Sequence, residues 1–115
     1  MPSWFGRDLA PLPSEFEIVN LQPRERPRFL VRRVELGYRT IHVGRPKREL
    51  EHVALGVELE RIDKPGQIHK WALTSSNAIA VLEPQLADAR RAALPIAVEV
   101  HARFGKKHYE ITIGG

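Results

Sequence analysis

Apolar and polar positions alternate along most of this chain, and the alternation breaks at prolines and glycines. Glu15 and Glu17 alternate with Phe16 and Ile18, so residues 15–20 (EFEIVN) predict a half-buried strand. After a charged, proline-bounded connection (Pro23 to Pro27), residues 28–36 and 38–43 are rich in β-branched side chains, with Gly37 as a bulge or turn between them. Gly44-Arg45-Pro46 ends that run. The next stretch carries two periods at once. Leu50, Val53, Ala54 and Val57 suit a helix begun at Pro46, whereas Val53, Leu55, Val57 and Leu59 alternate strictly. Gly56 would cost a helix interior about 1 kcal/mol, so a strand over 53–62 is the better reading. Lys64-Pro65-Gly66 has proline and glycine where a type II turn needs them, and residues 67–73 return as the partner strand.

Over residues 76–93 the period changes. Ile79, Leu82, Leu86, Ala89 and Ala93 step by three and four residues, the apolar stripe of a helix, with Ser75 or Ser76 as its N-cap. Pro84 falls inside that helix and removes the bond to the Ala80 carbonyl. A short buried strand over Ala78–Leu82 is the other reading. The chain then returns to alternation, with strands over 95–104 and 108–113. Placing Phe104 and Tyr109 on one apolar face pairs them across a four-residue loop and sets Arg103 opposite Glu110. Residues 1–14 hold three prolines with Trp4 and Phe5, and read as a Pro-rich tail or surface strap.

One helix among short strands predicts an α+β, β-dominated fold: a small OB-like antiparallel β-barrel in which the helix at 76–93 precedes the hairpin. Other small barrels and α+β sandwiches share this order. Residues 15–115 form one domain, with 15–20 as an extra edge strand. A length of 115 residues with 43% hydrophobic content fits one domain with a modest core. The absence of cysteine excludes disulfides, thiolate metal sites and a cysteine nucleophile. No apolar run approaches the ~20 residues of a membrane span, and the start does not resemble a secretory signal. No membrane partner and a cytoplasmic location are therefore expected.

The net charge of +4 is unevenly spread. Residues 24–48 hold nine arginines and lysines against Glu25 and Glu35, a local +7, while residues 49–99 carry five basic against eight acidic side chains. Arginine outnumbers lysine thirteen to five, and its planar fork suits phosphate. Such clusters are the electrostatic footprint of a phosphate-binding surface, although solvated faces also carry them.

Single-strand binding needs a cationic groove plus flat side chains on which bases stack. Arg32, Arg33, Arg39, Arg45, Lys47, Arg48, Lys106 and Lys107 are candidates for the first, and Tyr38, Trp71 and His108 for the second. Trp71 is as readily a core residue, and Tyr109 aligns with core positions. Five histidines without paired ligand spacing predict no metal and no cofactor. The expected function is thus a non-catalytic module for single-stranded DNA. A protein-interaction adaptor or inhibitor subunit, with Trp4 and Phe5 as its apolar strip, is the alternative. A small metal-independent ribonuclease using Glu99, His101, Arg103 and His108 is a third reading.

Residues 55–113 resemble the HIRAN domain, a small OB-like module. The similar features are two strands around a turn (GVELERIDKPGQIHKWAL), an Ala/Leu helix with an internal proline (SSNAIAVLEPQLADARRA) and two closing strands (LPIAVEVHARFGKKHYEITI). EFEIVN would correspond to its opening strand, and HVGRP to a later basic strand end. The resemblance implies binding of single-stranded DNA or DNA ends.

Overall fold

Strand β1 (Arg28–Val43) runs unbroken for 16 residues in the computed structural model, which describes residues 9–17, 21, 25–103 and 106–114, with 102–109 as backbone only. A bulge or turn was expected at Gly37. The irregularity lies instead at Arg32, where the register against β2 (Arg48–Arg61) slips between Val31 and Arg33. This bulge keeps Phe29 and Val31 before it, and Val34 and Leu36 after it, against one core. The helix latches the extra residue, with Arg90 Nε donating to the Arg32 carbonyl at 3.0 Å.

Strand β2 begins at Arg48, five residues before its expected start at 53, because pairing continues outward to Val43↔Arg48 around the turn at 44–47. Residues 48–52 bury neither face, so no alternation betrays them. Strand β3 (Ile68–Leu73) folds back on β2 through the expected type II turn: Gln67 N donates to the Lys64 carbonyl at 3.0 Å, and Gly66 adopts φ +90°. Helix α1 (Ser76–Ala92) follows. Ser75 Oγ accepts from Ala78 N, Pro84 sits within the helix, and Ile79, Leu86 and Ala89 are its buried stripe.

Strand β4 (Pro95–Arg103) pairs with residues 28–30 of β1, and β5 (Lys106–Ile113) pairs with β4. The hairpin register differs from the expected one. Tyr109 faces Val100, Glu110 faces Glu99, and Arg103 faces Lys106, leaving two residues in the loop. The tighter register sets Ile111 and Ile113 opposite Val98 and Ile96, whereas the wider one would leave those two buried side chains without cross-strand partners.

All four pairings are antiparallel, in the order β3-β2-β1-β4-β5. The sheet curls around its core, for Trp71 and Leu73 of β3 and Ile111 of β5 line one small enclosed void with Val98. No backbone pairing joins β3 to β5 among the described residues. No helix there is long and apolar enough to cross a membrane.

The segment 9–17 crosses the outer face of β1–β2–β3. Leu12 N donates to the Tyr38 carbonyl at 2.9 Å and Tyr38 N to the Ala10 carbonyl at 3.0 Å, on the edge of β1. At the far side Glu17 N donates to the Lys70 carbonyl at 2.8 Å, on the edge of β3. Leu12 and Phe16 are buried between these anchors against Ala54 and Ala72. The crossing requires glycine beneath it. A Cβ on Gly37 would stand 2.6 Å from the Ala10 carbonyl oxygen, and one on Gly56 would stand 2.9 Å from Leu12 Cδ1. Residues 15–17 thus make a strap with a single bridge at Glu17, where an edge strand was expected. Residues 18–20, Trp4 and Phe5 lie outside the described residues.

Gly37→Ala is expected to lift residues 10–12 from β1 and lower stability by about 1–3 kcal/mol, the usual cost of overpacking. Phe16→Ala removes a ring that is 1% exposed and is expected to cost about 3–5 kcal/mol. Urea unfolding checks both; a wild-type midpoint in either variant would show that the strap contributes nothing to the fold.

Candidate nucleic-acid interface

The register places Arg33, Glu58 and Lys70 in one row across β1, β2 and β3. Glu15 of the strap lies over this row, 2.6 Å from Arg33 Nη2 and 3.0 Å from Lys70 Nζ. Glu58 adds contacts at 3.7 and 3.6 Å to the same two cations. The hydrogen bonds from Arg33 and then Lys70 hold the Glu15 carboxyl below the usual carboxylate range. The Arg33 guanidinium also lies 5.0 Å above the Phe16 ring, a cation–π contact. Arg32 reaches Glu60 at 2.9 Å and Glu58 at 3.7 Å, and Arg39 Nη2 donates to the Pro13 carbonyl at 3.0 Å.

Three cations assigned to phosphate from the sequence are therefore engaged internally. Arg33 and Arg39 hold the strap, and Arg32 neutralises two acids of β2. Trp71 is core, not a stacking platform: it is 3% exposed and meets the Phe29 ring edge-on at 5.4 Å. Tyr38 is half-buried, and its backbone N–H and carbonyl are taken by Ala10 and Leu12.

The remaining candidates fall at two separate places. Lys106, Lys107 and His108 open β5, where the register sets His108 opposite His101. His101 Nε2 lies 3.7 Å from Glu99 and 3.8 Å from Glu110. Because β4 pairs with Arg28–Leu30 and runs on past the start of β1, this hairpin end and the turn at 44–47 mark opposite ends of β1. The lysines of β5 and the arginines of 45–48 do not form one groove.

At the other end stand Arg45, Lys47 and Arg48. All three are exposed, and none makes a side-chain hydrogen bond or ion pair with the described residues. They occupy the tip of a two-stranded ribbon. Beyond Leu55 no residue of β2 pairs with β3, and beyond Leu30 no residue of β1 pairs with β4. Five pairs, from Arg39↔His52 to Val43↔Arg48, carry the tip away from the sheet. His52 steadies the base of the ribbon: its Nδ1 lies 2.8 Å from the Val53 carbonyl oxygen and its Nε2 3.2 Å from Ser76 Oγ at the start of α1. The sequence marked only the break at Gly44-Arg45-Pro46; the second strand of the ribbon, residues 48–52, carries no alternation that would have shown it.

Elsewhere an open groove of about 430 Å³ lies between Glu25–Arg28 and Arg61–Asp63, where Arg61 grips Asp63 at 2.9 and 2.7 Å. No group of three metal-ligating side chains gathers among the described residues. Comparison with known proteins returns no match to a family model, a curated protein or a solved structure.

His69 ties the core to pH. Burial, and then the nearby Arg61 charge, push its imidazole below the ordinary value of 6.5. The fold therefore favours neutral His69, and the unfolded chain takes up the proton more readily. The resulting stability is complete above about pH 6.5 and is lost as pH falls through the lower folded value. Thermal unfolding between about pH 7 and pH 5 is expected to show a falling Tm that flattens in His69→Leu. The carboxylates Glu15 and Asp63, held low by their cations, add their own loss only below about pH 4.5. Equal slopes in the two proteins above that pH would remove His69 from the account.

Proposed function

We propose that this domain binds nucleic acid without catalysis, through the tip of the β1–β2 ribbon. The carrying observation is that Arg45, Lys47 and Arg48 stand exposed and unpartnered at the end of a two-stranded arm, while their neighbours in the +7 segment, Arg32 and Arg33, are neutralised by the chain's own acids. Three unshielded cations within four residues form a compact phosphate-binding unit.

The topology supports the same reading. The order β3-β2-β1-β4-β5, with the helix between β3 and β4, matches an OB-type barrel left unpaired between β3 and β5. In such barrels the β1–β2 loop is one of the two that flank the ligand; here it carries Arg45 and Lys47. A HIRAN-like affinity would point to DNA as the ligand.

Fluorescence anisotropy with labelled oligonucleotides tests the proposal. Three neutralised phosphates predict an affinity loss of roughly 20- to 40-fold between ~50 and ~200 mM salt. The double variant Arg45→Gln, Lys47→Gln is expected to bind more weakly and with a shallower salt slope, at unchanged Tm. No binding at ~50 mM salt, where phosphate contacts are strongest, sinks the proposal; a protein partner then becomes the reading to pursue.

A further inference from the structure

Resting on that nucleic-acid reading, we infer that the ligand is double-stranded DNA and that the ribbon enters its major groove tip-first. Single-strand binding needs open aromatic faces, and the fold buries the described Phe, Tyr and Trp rings wholly or in part. Trp71 is in the core, and the strap lays Leu12 and Phe16 over the outer face of β2 and β3. Tyr38 is half-buried, and the strap bonds its backbone. Base stacking, worth roughly 1–3 kcal/mol per base in single-strand binders, is therefore left only the open part of Tyr38 among the described Phe, Tyr and Trp rings.

The ribbon has the dimensions that a duplex requires. Its four pairs beyond Arg39↔His52 extend ~14 Å at ~3.4 Å per residue, with strands ~4.8 Å apart. The major groove of B-form DNA, ~12 Å wide and ~8.5 Å deep, admits a two-stranded ribbon. A-form RNA does not, because its major groove is deep and narrow.

The chemistry along the ribbon fits a groove better than water. Leu50 is 49% exposed and pairs with Ile41 on one face, an apolar couple suited to thymine methyl groups. Thr40 and His42 on the opposite face, with Glu51 and Glu49 as their cross-strand neighbours, offer polar groups for base edges, the carboxylates as acceptors for cytosine amino groups. Arg45, Lys47 and Arg48 surround the turn, where the flanking phosphates would lie, and Glu49 and Glu51 sit farther back from the tip. Acids kept behind the leading edge leave the tip positive as it approaches.

The full-length protein, titrated into one sequence presented as B-form DNA duplex, DNA single strand and RNA duplex, decides the matter. The DNA duplex is expected to bind at least about tenfold more tightly than either alternative. Methyl green, a major-groove ligand, is expected to compete, and netropsin, a minor-groove ligand, is not. Leu50→Ser should weaken duplex binding severalfold with the salt slope unchanged. Lys64→Gln, an exposed lysine in the β2–β3 turn, should leave affinity as it is. Equal or tighter binding of the single strand overturns the duplex inference and leaves the nucleic-acid reading intact. Competition by netropsin alone overturns the choice of groove. Failure of all three nucleic acids to bind overturns both readings together.

Discussion

Two missing Cβ atoms, at Gly37 and Gly56, decide how this molecule is organised. They let the strap lie directly on the sheet, with the Ala10 carbonyl against one strand and Leu12 and Phe16 against the next. Burying those two side chains contributes about 1.5–3 kcal/mol each. The ion pairs around Glu15 are solvent-exposed and add little; their role is to set where the strap sits. Arg33, Arg39 and Lys70 are consequently turned toward the chain itself. The same packing closes the outer face of β2 and β3 to ligands. The ribbon beyond the strap remains open.

The bulge at Arg32 extends this logic. An uninterrupted alternation would put Val31 and Val34 on opposite faces, and the core would lose one of them. The extra residue restores both, and Arg90 of the helix holds its carbonyl. His52 makes a second link from the sheet to the helix, at Ser76. Each end of α1 is therefore connected to the hairpin that carries the ribbon. The aim of the ribbon is fixed by packing far from its tip.

Much of this was legible in the sequence wherever one face is buried. The helix announced itself through Ile79, Leu86 and Ala89, and the β2–β3 turn through Pro65 and Gly66, since those residues answer to local rules. The hairpin register did not, because two registers keep the same apolar face and only long-range burial of Ile96 and Val98 separates them. Gly37 read as a bulge or turn because a glycine in a strand has two uses, and the second depends on a segment some 26 residues away. The cationic residues were visible as a cluster, yet their partners were not. Glu15 is distant in sequence from Arg33 and Lys70, so composition could not separate cations that hold the strap from cations that face solvent.

The strap has one more consequence, for how this chain behaves among its own copies. It occupies backbone groups on both margins of the β1–β2–β3 meander, at Tyr38 on one side and at Lys70 and Ala72 on the other. Those are the groups through which an unrelated extended chain would add itself to the sheet. A molecule stripped of residues 9–17 would present two sticky margins joined by an apolar floor of Ala54, Gly56 and Ala72. The segment that shapes the outer face is thus also a built-in guard against uncontrolled self-assembly.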